Sequence, residues 1–269
     1  MPTKFLEDAR ILSNTTFAPD LWSLRLAAPR MATAIRPGQF VKIDLNESGH
    51  ILRRPLSVYQ ADPEAGEIEL LYQVVGSGTR LMPQWQPGEV RSLLGPLGLD
   101  WPVPEGTHRA LLIGGGIGTA PLALLAQQLK GSDPVVDVTM IQAAQTAERL
   151  VARDFFERTV DAWFCATDDG SAGAKGLITA PLEDLLATQS FDVAYVCGPE
   201  VMQVPVARLC AQHQLRCYVS LERRMACGIG ACAGCVVKTT GGLKGVCLLG
   251  PIFDAEEVCW DDNIASRVH

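Results

Sequence analysis

The sequence predicts a β + α/β chain in three parts: an N-terminal antiparallel β-barrel over 1–103, a doubly wound parallel α/β domain over 104–218, and a small cysteine-rich segment over 219–269. Three observations carry that expectation. Short strands separated by turn residues run from Ile11 to about Leu94, a strand, glycine turn, helix rhythm begins at Arg109, and four cysteines crowd between Met225 and Cys247. At ~150 residues per domain, 269 residues suit two domains and an appendage.

In the first part, Leu21–Ala27, Gln39–Leu45 and Glu67–Val75 read as strands broken by PG and DPEAG turns. Several such strands at modest spacing suggest an antiparallel barrel or sandwich. DWPVPEGTH, with two prolines and a glycine, makes the linker. From there ALLIGG leads through GIGTAP into PLALLAQQLK. VVDVTMI, a helix near Ala147 to Phe156, WFCAT, a helix near Leu177 to Ala187, VAYVCG and a helix near Glu200 to His213 follow. Such alternation implies parallel strands with helices on both faces. A second boundary is expected around Val219.

In the third part Cys227, Cys232 and Cys235 stand as C-x4-C-x2-C, with Cys247 following, which is the plant-type spacing for an iron–sulfur cluster. Gly228, Gly230 and Gly234 between them give the backbone the freedom to wrap a compact inorganic core, since glycine takes positive φ without steric cost. Two plainer readings compete. Structural zinc is usually held by paired C-x2-C units or by histidines, and this segment has one C-x2-C and no histidine. Disulfides suit small secreted domains, yet no charged-then-apolar leader opens the sequence. The other cysteines, Cys165, Cys197, Cys210, Cys217 and Cys259, lie scattered in apolar contexts and are expected as buried thiols. A reducing cytoplasm is the expected compartment.

Composition sets further limits. Hydrophobic residues make up 48% and charged residues 20%, a globular balance. A net charge of −7 disfavours nucleic acid, whose phosphates require a basic face. The longest apolar run, Ala110 to Ala126, is broken by glycines and Pro121 and is shorter than the ~20 residues a membrane-spanning helix needs.

Two stretches point to nucleotides. RRPLS, Arg53 to Ser57, offers an arginine fork for a diphosphate and a hydroxyl in reach of a flavin ring nitrogen; a solvated arginine pair before an edge strand would look the same. Downstream, VVGSGTRLM places Gly76, Gly78 and Thr79 at the expected start of a short helix, whose free amides favour an anion. IGGGIGT, with Gly114, Gly115, Gly116, Gly118 and Thr119, only partly meets the dinucleotide fingerprint and also fits a tightly packed βα turn. Its position at the carboxyl end of a parallel strand favours a ligand. CGPEVM, with Cys197, Gly198 and Pro199, ends another strand at the same edge.

With these residues the chain resembles the ferredoxin–NAD(P)+ reductase superfamily, and SLERRMACGIGACAGC with GPIFDAEEV narrows the resemblance to the electron-transfer subunits of class B dihydroorotate dehydrogenase. The resemblance runs over essentially the whole chain. It implies bound FAD, one 2Fe-2S cluster, NADH as the electron donor, and an FMN-containing catalytic subunit as partner, two of each forming a heterotetramer. It further implies Arg54, Pro55, Leu56, Ser57, Leu71, Tyr72, Gln73, Gly78 and Thr79 as FAD contacts and Cys227, Cys232, Cys235 and Cys247 as cluster ligands. Leu56 stands where many relatives carry a flavin-stacking tyrosine, so aliphatic packing on the ring is expected instead. MIQAAQTAE lacks the arginine that would meet a 2′-phosphate at the end of the second strand, which favours NAD. No residue is expected as general acid or base, and dihydroorotate is expected to meet the partner only. The rival expectations are a similar reductase serving another redox partner, and a redox-sensing iron–sulfur protein.

Overall fold

The computed structural model describes residues 3–45 and 49–261, so the last part of the expected 219–269 segment lies outside the described residues. The first six strands are β1 (Phe5–Ala18), β2 (Leu21–Ala27), β3 (Phe40–Ile43), β4 (Arg54–Asp62), β5 (Glu67–Gln73) and β6 (Val90–Leu97). They close into an antiparallel barrel in the order β1-β2-β5-β4-β3-β6. Alternation along each strand decides what fills it. Leu24 and Leu26, Val41 and Ile43, and Ile68, Leu70 and Tyr72 point into the barrel core. A short helix, α1 (Pro29–Ala34), adds Met31 and Ala32 to that core. Its first turn is held by the Glu7 carboxylate, which accepts from the backbone N–H groups of Arg30 (2.9 Å) and Met31 (2.7 Å).

Beyond the linker come β7 (Arg109–Gly115), α2 (Leu122–Lys130), β8 (Asp137–Ala144), α3 (Arg153–Thr159), β9 (Ala162–Thr167), β10 (Ala174–Lys175), α4 (Thr179–Thr188), β11 (Val193–Cys197), α5 (Glu200–Gln212) and β12 (Cys217–Ser220). The strands pair in parallel in the order β10-β9-β8-β7-β11-β12. Leu111 and Ile113 join one core layer with α4 and α5, and Ala110 and Leu112 join the other with α2 and α3. Burial on both faces explains why β7 reads as an unbroken apolar run. The helix expected near Ala147 to Phe156 is divided into a 3-10 turn, Ala147–Arg149, and α3, because Ala152 between them takes a left-handed conformation (φ 57°).

The cysteine-rich segment contributes a hairpin, β13 (Val236–Thr239) and β14 (Gly242–Gly245), then α6 (Val246–Leu249) and β15 (Ile252–Asp254). The boundary expected at 218/219 falls inside β12. β15 pairs antiparallel with β12 and extends the sheet, and Val237, Val246 and Phe253 share a core with Leu182 and Val206. The segment therefore completes the second domain, because its own apolar residues are too few to pack alone. No helix among the described residues is long and apolar enough to cross a membrane.

Candidate functional site: an arginine strand, a glycine turn and a cysteine loop

Strand β4 presents Arg54, Pro55, Leu56 and Ser57 half-exposed at its start. The two arginines of RRPLS do different work. Arg53 is engaged by the barrel, donating to the Ser92 carbonyl at 2.6 Å and pairing with Asp44 at 3.6 Å. Arg54 instead crosses to the β5–β6 connection, where its Nε lies 2.2 Å from the point a Cβ on Gly78 would occupy. Gly78 thus gives the guanidinium a seat that any side chain would fill. Of the two arginines, Arg54, the one expected to meet the diphosphate, is the one the barrel leaves toward the turn.

The turn beneath it is corrected. Residues 76–81 form a hydrogen-bonded turn leading to a 3-10 helix at Met82–Gln84, with Arg80 N–H donating to the Gly76 carbonyl (3.0 Å). Such a turn has no helix macrodipole. Thr79 holds it: its Oγ1 accepts from the N–H groups of Val75 (2.9 Å) and Gly76 (3.1 Å). These backbone amides are tied up by Thr79, and Arg54 is the positive charge left at the seat.

Alternation also redirects two of the expected FAD contacts. Tyr72 points into the barrel, 1% exposed, with its hydroxyl donating to Asn14 Oδ1 at 3.0 Å, so its ring is spent on the core. Leu56 shares the inward parity of Val58 and leans on the same core, which leaves little of it for a flavin ring. Pro55 and Ser57 take the opposite parity. Leu71 is buried on the face toward the nucleotide domain, packed in the same layer as Tyr59 and α2, and Gln73 is half-buried at the end of β5. A surface groove elsewhere on the barrel is lined by Asp62, Glu64, Glu67 and Glu69, with Arg25 paired to Glu67; its excess of carboxylates disfavours a diphosphate.

The nucleotide motifs meet at the point where the strand order reverses. Gly114 of β7 lies in register opposite Cys197 of β11, and a Cβ on Gly118 would stand 2.6 Å from the Gly198 Cα. Gly114 and Gly115 are equally hemmed in, by Thr119 Oγ1 (2.7 Å) and Met202 Sδ (2.5 Å), while Gly116 takes φ +54°. Close packing therefore accounts for Gly114, Gly115 and Gly118, and positive φ for Gly116, so the ligand reading rests on the position at this switch point and on a buried Thr119 hydroxyl that has no hydrogen-bond partner among the described residues. Gly198 and Pro199 line a small cleft on the other side of β11, with Glu200, Gln203, Leu221 and Glu222. Cys197 is 2% exposed and its thiol is pushed up to about 12 by burial, which makes it a core thiol. Arg149, just past the stretch read as lacking arginine, donates to the Pro19 carbonyl at 3.2 Å.

All nine cysteines are free thiols, so the disulfide alternative falls away. Cys165, Cys197, Cys210 and Cys217 are buried as expected, whereas Cys259 is half-exposed. In the cluster segment the thiols come as two hydrogen-bonded pairs, Cys227 with Cys232 and Cys235 with Cys247. Among the described residues, no group of three or more His, Cys, Asp or Glu is placed to hold a single metal ion. Two pairs of thiols suit a cluster of two irons, each taking two protein sulfurs. Backbone amides reach the sulfurs as well: Ile229 and Cys232 donate to Cys227 Sγ at 3.5 and 3.4 Å, and Cys247 donates to Cys235 Sγ at 3.4 Å. Against the penalty of burial, these amides draw the Cys227 thiol down to about 6; burial and the Cys235 thiol push Cys247 up to about 11. Gly228 and Gly230 adopt positive φ (74° and 87°). The third such residue is Ala233 (φ 49°), not Gly234.

One contributor went unread in the sequence. Lys42 of β3 is 1% exposed and donates from Nζ to the carbonyl of Ala226, the residue before Cys227. Lys42 also lies in register opposite Pro55. The available signal was a lysine in the otherwise apolar run FVKI, a charge where a strand is buried on both faces.

Residues 222–259 match the iron–sulfur cluster binding domain of dihydroorotate dehydrogenase B, and residues 8–100 match the oxidoreductase FAD-binding domain. The electron transfer subunit of dihydroorotate dehydrogenase B (NAD(+)) from Geobacillus sp. (strain WCH70) is 38% identical over 263 residues, spanning 94% of this chain and 98% of that protein. This chain belongs to that family of electron-transfer subunits. The subunit of the same name from Desulforamulus reducens is 34% identical, again over 94% and 98% of the two chains. Among solved structures, a chain of the NADH-dependent reduced ferredoxin-NADP oxidoreductase, studied for flavin-based electron bifurcation, superposes with a TM-score of 0.88 at 32% identity, covering 96% of this chain and 91% of that one. A Neisseria gonorrhoeae ferredoxin NADP+ reductase with bound FAD and NADP (TM-score 0.66, 19% identity, 82% and 95% covered) shares the fold alone. Family membership makes the chain an oxidoreductase subunit with an FAD-binding barrel and an iron–sulfur segment, in agreement with the sequence reading.

Proposed function

We propose that this chain passes electrons between NADH, FAD, a 2Fe-2S cluster and the FMN of a separate dihydroorotate dehydrogenase catalytic subunit. In pyrimidine synthesis the net direction is dihydroorotate to orotate with NAD+ as final acceptor, so electrons then run through the chain in reverse. The observation that carries this reading is the match over 98% of the length of named electron-transfer subunits, together with four paired thiols in the loop beside strand β3.

FAD supplies the exchange between two-electron chemistry with the nicotinamide and one-electron chemistry with the cluster. The chain supplies position and charge. Arg54, seated on Gly78, meets the diphosphate, Pro55 and Ser57 face outward along the flavin, and Leu71, Gln73 and Thr79 shape the floor and the turn. The switch-point crevice between Gly114–Thr119 and Gly198–Pro199 receives NAD. Cys227, Cys232, Cys235 and Cys247 hold the cluster. Cys232 is exposed, and exposed Ile229 and Leu249 flank the cysteines; this apolar rim suits a protein partner. The expected assembly holds two copies of each subunit. The domain limits proposed are 1–103, 104–218 and 219–269, with the last two sharing one sheet.

Coexpression of the tagged chain with the catalytic subunit, followed by pulldown and an assay of dihydroorotate-dependent NAD+ reduction, tests the proposal. A second reading is favoured by the 32% identity, over 96% of the chain, to the bifurcating oxidoreductase chain: a flavin and iron–sulfur reductase serving another redox partner. Copurification of a different flavoprotein, with no dihydroorotate activity, would select it.

A further inference from the structure

Lys42 sits on a strand that pairs with the flavin segment and passes beneath the cysteine loop. On β3 the side chains of Val41 and Ile43 enter the barrel core, while Phe40 and Lys42 point outward, Phe40 packing into the core shared with Cys235 and Cys247. Opposite them in register stand Ser57 and Pro55 of the flavin segment. From that position the Lys42 stem runs beneath the cysteine loop, with Cδ 2.5 Å from where a Cβ on Gly228 would lie. Gly228, at φ +74°, is therefore required twice: for the turn and for the lysine. Nζ ends on the Ala226 carbonyl. The titratable and charged groups facing the ammonium are the thiols of Cys227, Cys232 and Cys247 and the guanidinium of Arg53, itself held by Asp44.

A fully buried lysine is costly unless its charge is used. One backbone carbonyl compensates little of the lost hydration. A cluster with four thiolates carries net negative charge and gains one more unit on reduction, and in a poorly solvated site the interaction with a fixed cation is strong.

We propose that Lys42 is a tuning residue, whose buried ammonium stabilises the reduced form of the cluster bound by Cys227, Cys232, Cys235 and Cys247 and so raises its reduction potential relative to the flavin. The step is the arrival of one electron at the cluster; no bond forms or breaks and Lys42 keeps its proton. The inference rests on the cluster reading above. It adds that the barrel, and not only the cysteine loop, sets the cluster's potential.

The test uses the full chain, loaded with flavin and cluster, as wild type, Lys42→Met and Lys42→Gln. Gln keeps a donor for the Ala226 carbonyl without the charge. A redox titration followed by electron paramagnetic resonance for the cluster, and by absorbance for the flavin, reads both midpoints in one sample. The expected result is a more negative cluster midpoint in both variants, with at least tenfold less reduced cluster at a fixed poise, about 59 mV for a one-electron couple, and a smaller displacement of the flavin. An unmoved cluster midpoint in either loaded variant overturns the proposal. Loss of the cluster from both variants also overturns it, because Lys42 would then be a structural latch. Absence of iron and sulfide from the wild type would instead overturn the cluster reading, so the two failures are distinguishable.

Discussion

Arg54 rests on Gly78: its Nε, Cζ and Nη2 lie 2.2–2.6 Å from the place a Cβ on that glycine would take. Gly78 does not need positive φ. The glycine is there for the guanidinium, and the pair behaves as one unit. Arg54→Ala removes a charge-assisted contact of about 1.5–3 kcal/mol, so FAD affinity is expected to fall roughly ten- to a hundredfold. Gly78→Ala leaves the charge but expels it from its seat, and the same direction of change is expected. Flavin retention and fluorescence titration measure both; wild-type affinity in the Arg54 variant would put the diphosphate elsewhere.

Gly118→Ala brings a methyl group to 2.6 Å from Gly198 Cα, a clash with backbone that no rotamer change relieves. The GGGIG and CGP turns must then part. Overpacking of this kind costs typically ~1–3 kcal/mol, and the crevice between the turns changes shape. A lower Tm and a raised KM for NADH are expected, with flavin content unchanged because the barrel is untouched. Gly116→Ala, where nothing lies within 4 Å, tests positive φ alone, and a smaller loss of stability is expected there.

Much of this was legible from local patterns. Four cysteines at plant-type spacing, apolar runs of two periods and glycine turns after parallel strands each act within a few residues, so the barrel, the doubly wound sheet and the cysteine loop could be placed. What escaped depends on strand parity and distant pairing. Whether Tyr72 faces a ligand or the barrel core turns on its parity, and its neighbours Leu71 and Gln73 give no sign of it. Arg53 and Arg54 look equivalent until Ser92 and Asp44 claim one of them. Lys42 acquires meaning only because β3 passes beneath residues 226–228. β15 joins a sheet begun more than a hundred residues earlier, which no spacing rule foresees.

Asp192 links the start of β11 to the start of β7. Its carboxylate accepts from the N–H groups of His108 (2.8 Å) and Arg109 (2.7 Å), and these bonds hold its pKa below the ordinary value. A depressed folded-state pKa means stability that is present above the unfolded value, ~3.9, and lost as pH falls through the lower folded value. Asp192→Asn keeps one acceptor without charge. Its destabilisation relative to wild type should therefore be full near neutrality and shrink at pH values below the folded pKa. Urea unfolding of the flavin-loaded barrel and sheet across that range, scored on the difference between the two proteins, measures it; a difference independent of pH would mean that the carboxylate's charge is not used.

The order of the electron path is tested at the cysteines, whose two pairs differ in burial. Cys232 is exposed, and the Cys227 sulfur it bonds lies near the surface, whereas Cys235 and Cys247 are 2% and 1% exposed and share a core with Val237, Val246 and Phe253. Cys232→Ser removes one of the four proposed ligands without opening that core. β15 still pairs with β12, so the segment should remain folded even with its metal lost, and circular dichroism and flavin content should stay near wild type. Cys247→Ser places a hydroxyl in an apolar site and should cost ~1–3 kcal/mol as well. If the cluster lies between flavin and partner, Cys232→Ser leaves flavin reduction by NADH nearly intact and abolishes transfer to the catalytic subunit. Stopped-flow absorbance gives the first rate, turnover with the partner gives the second, and iron and sulfide analysis reports the cluster. A folded, flavin-replete, cluster-free variant that still drove its partner at the wild-type rate would remove the four cysteines from the path.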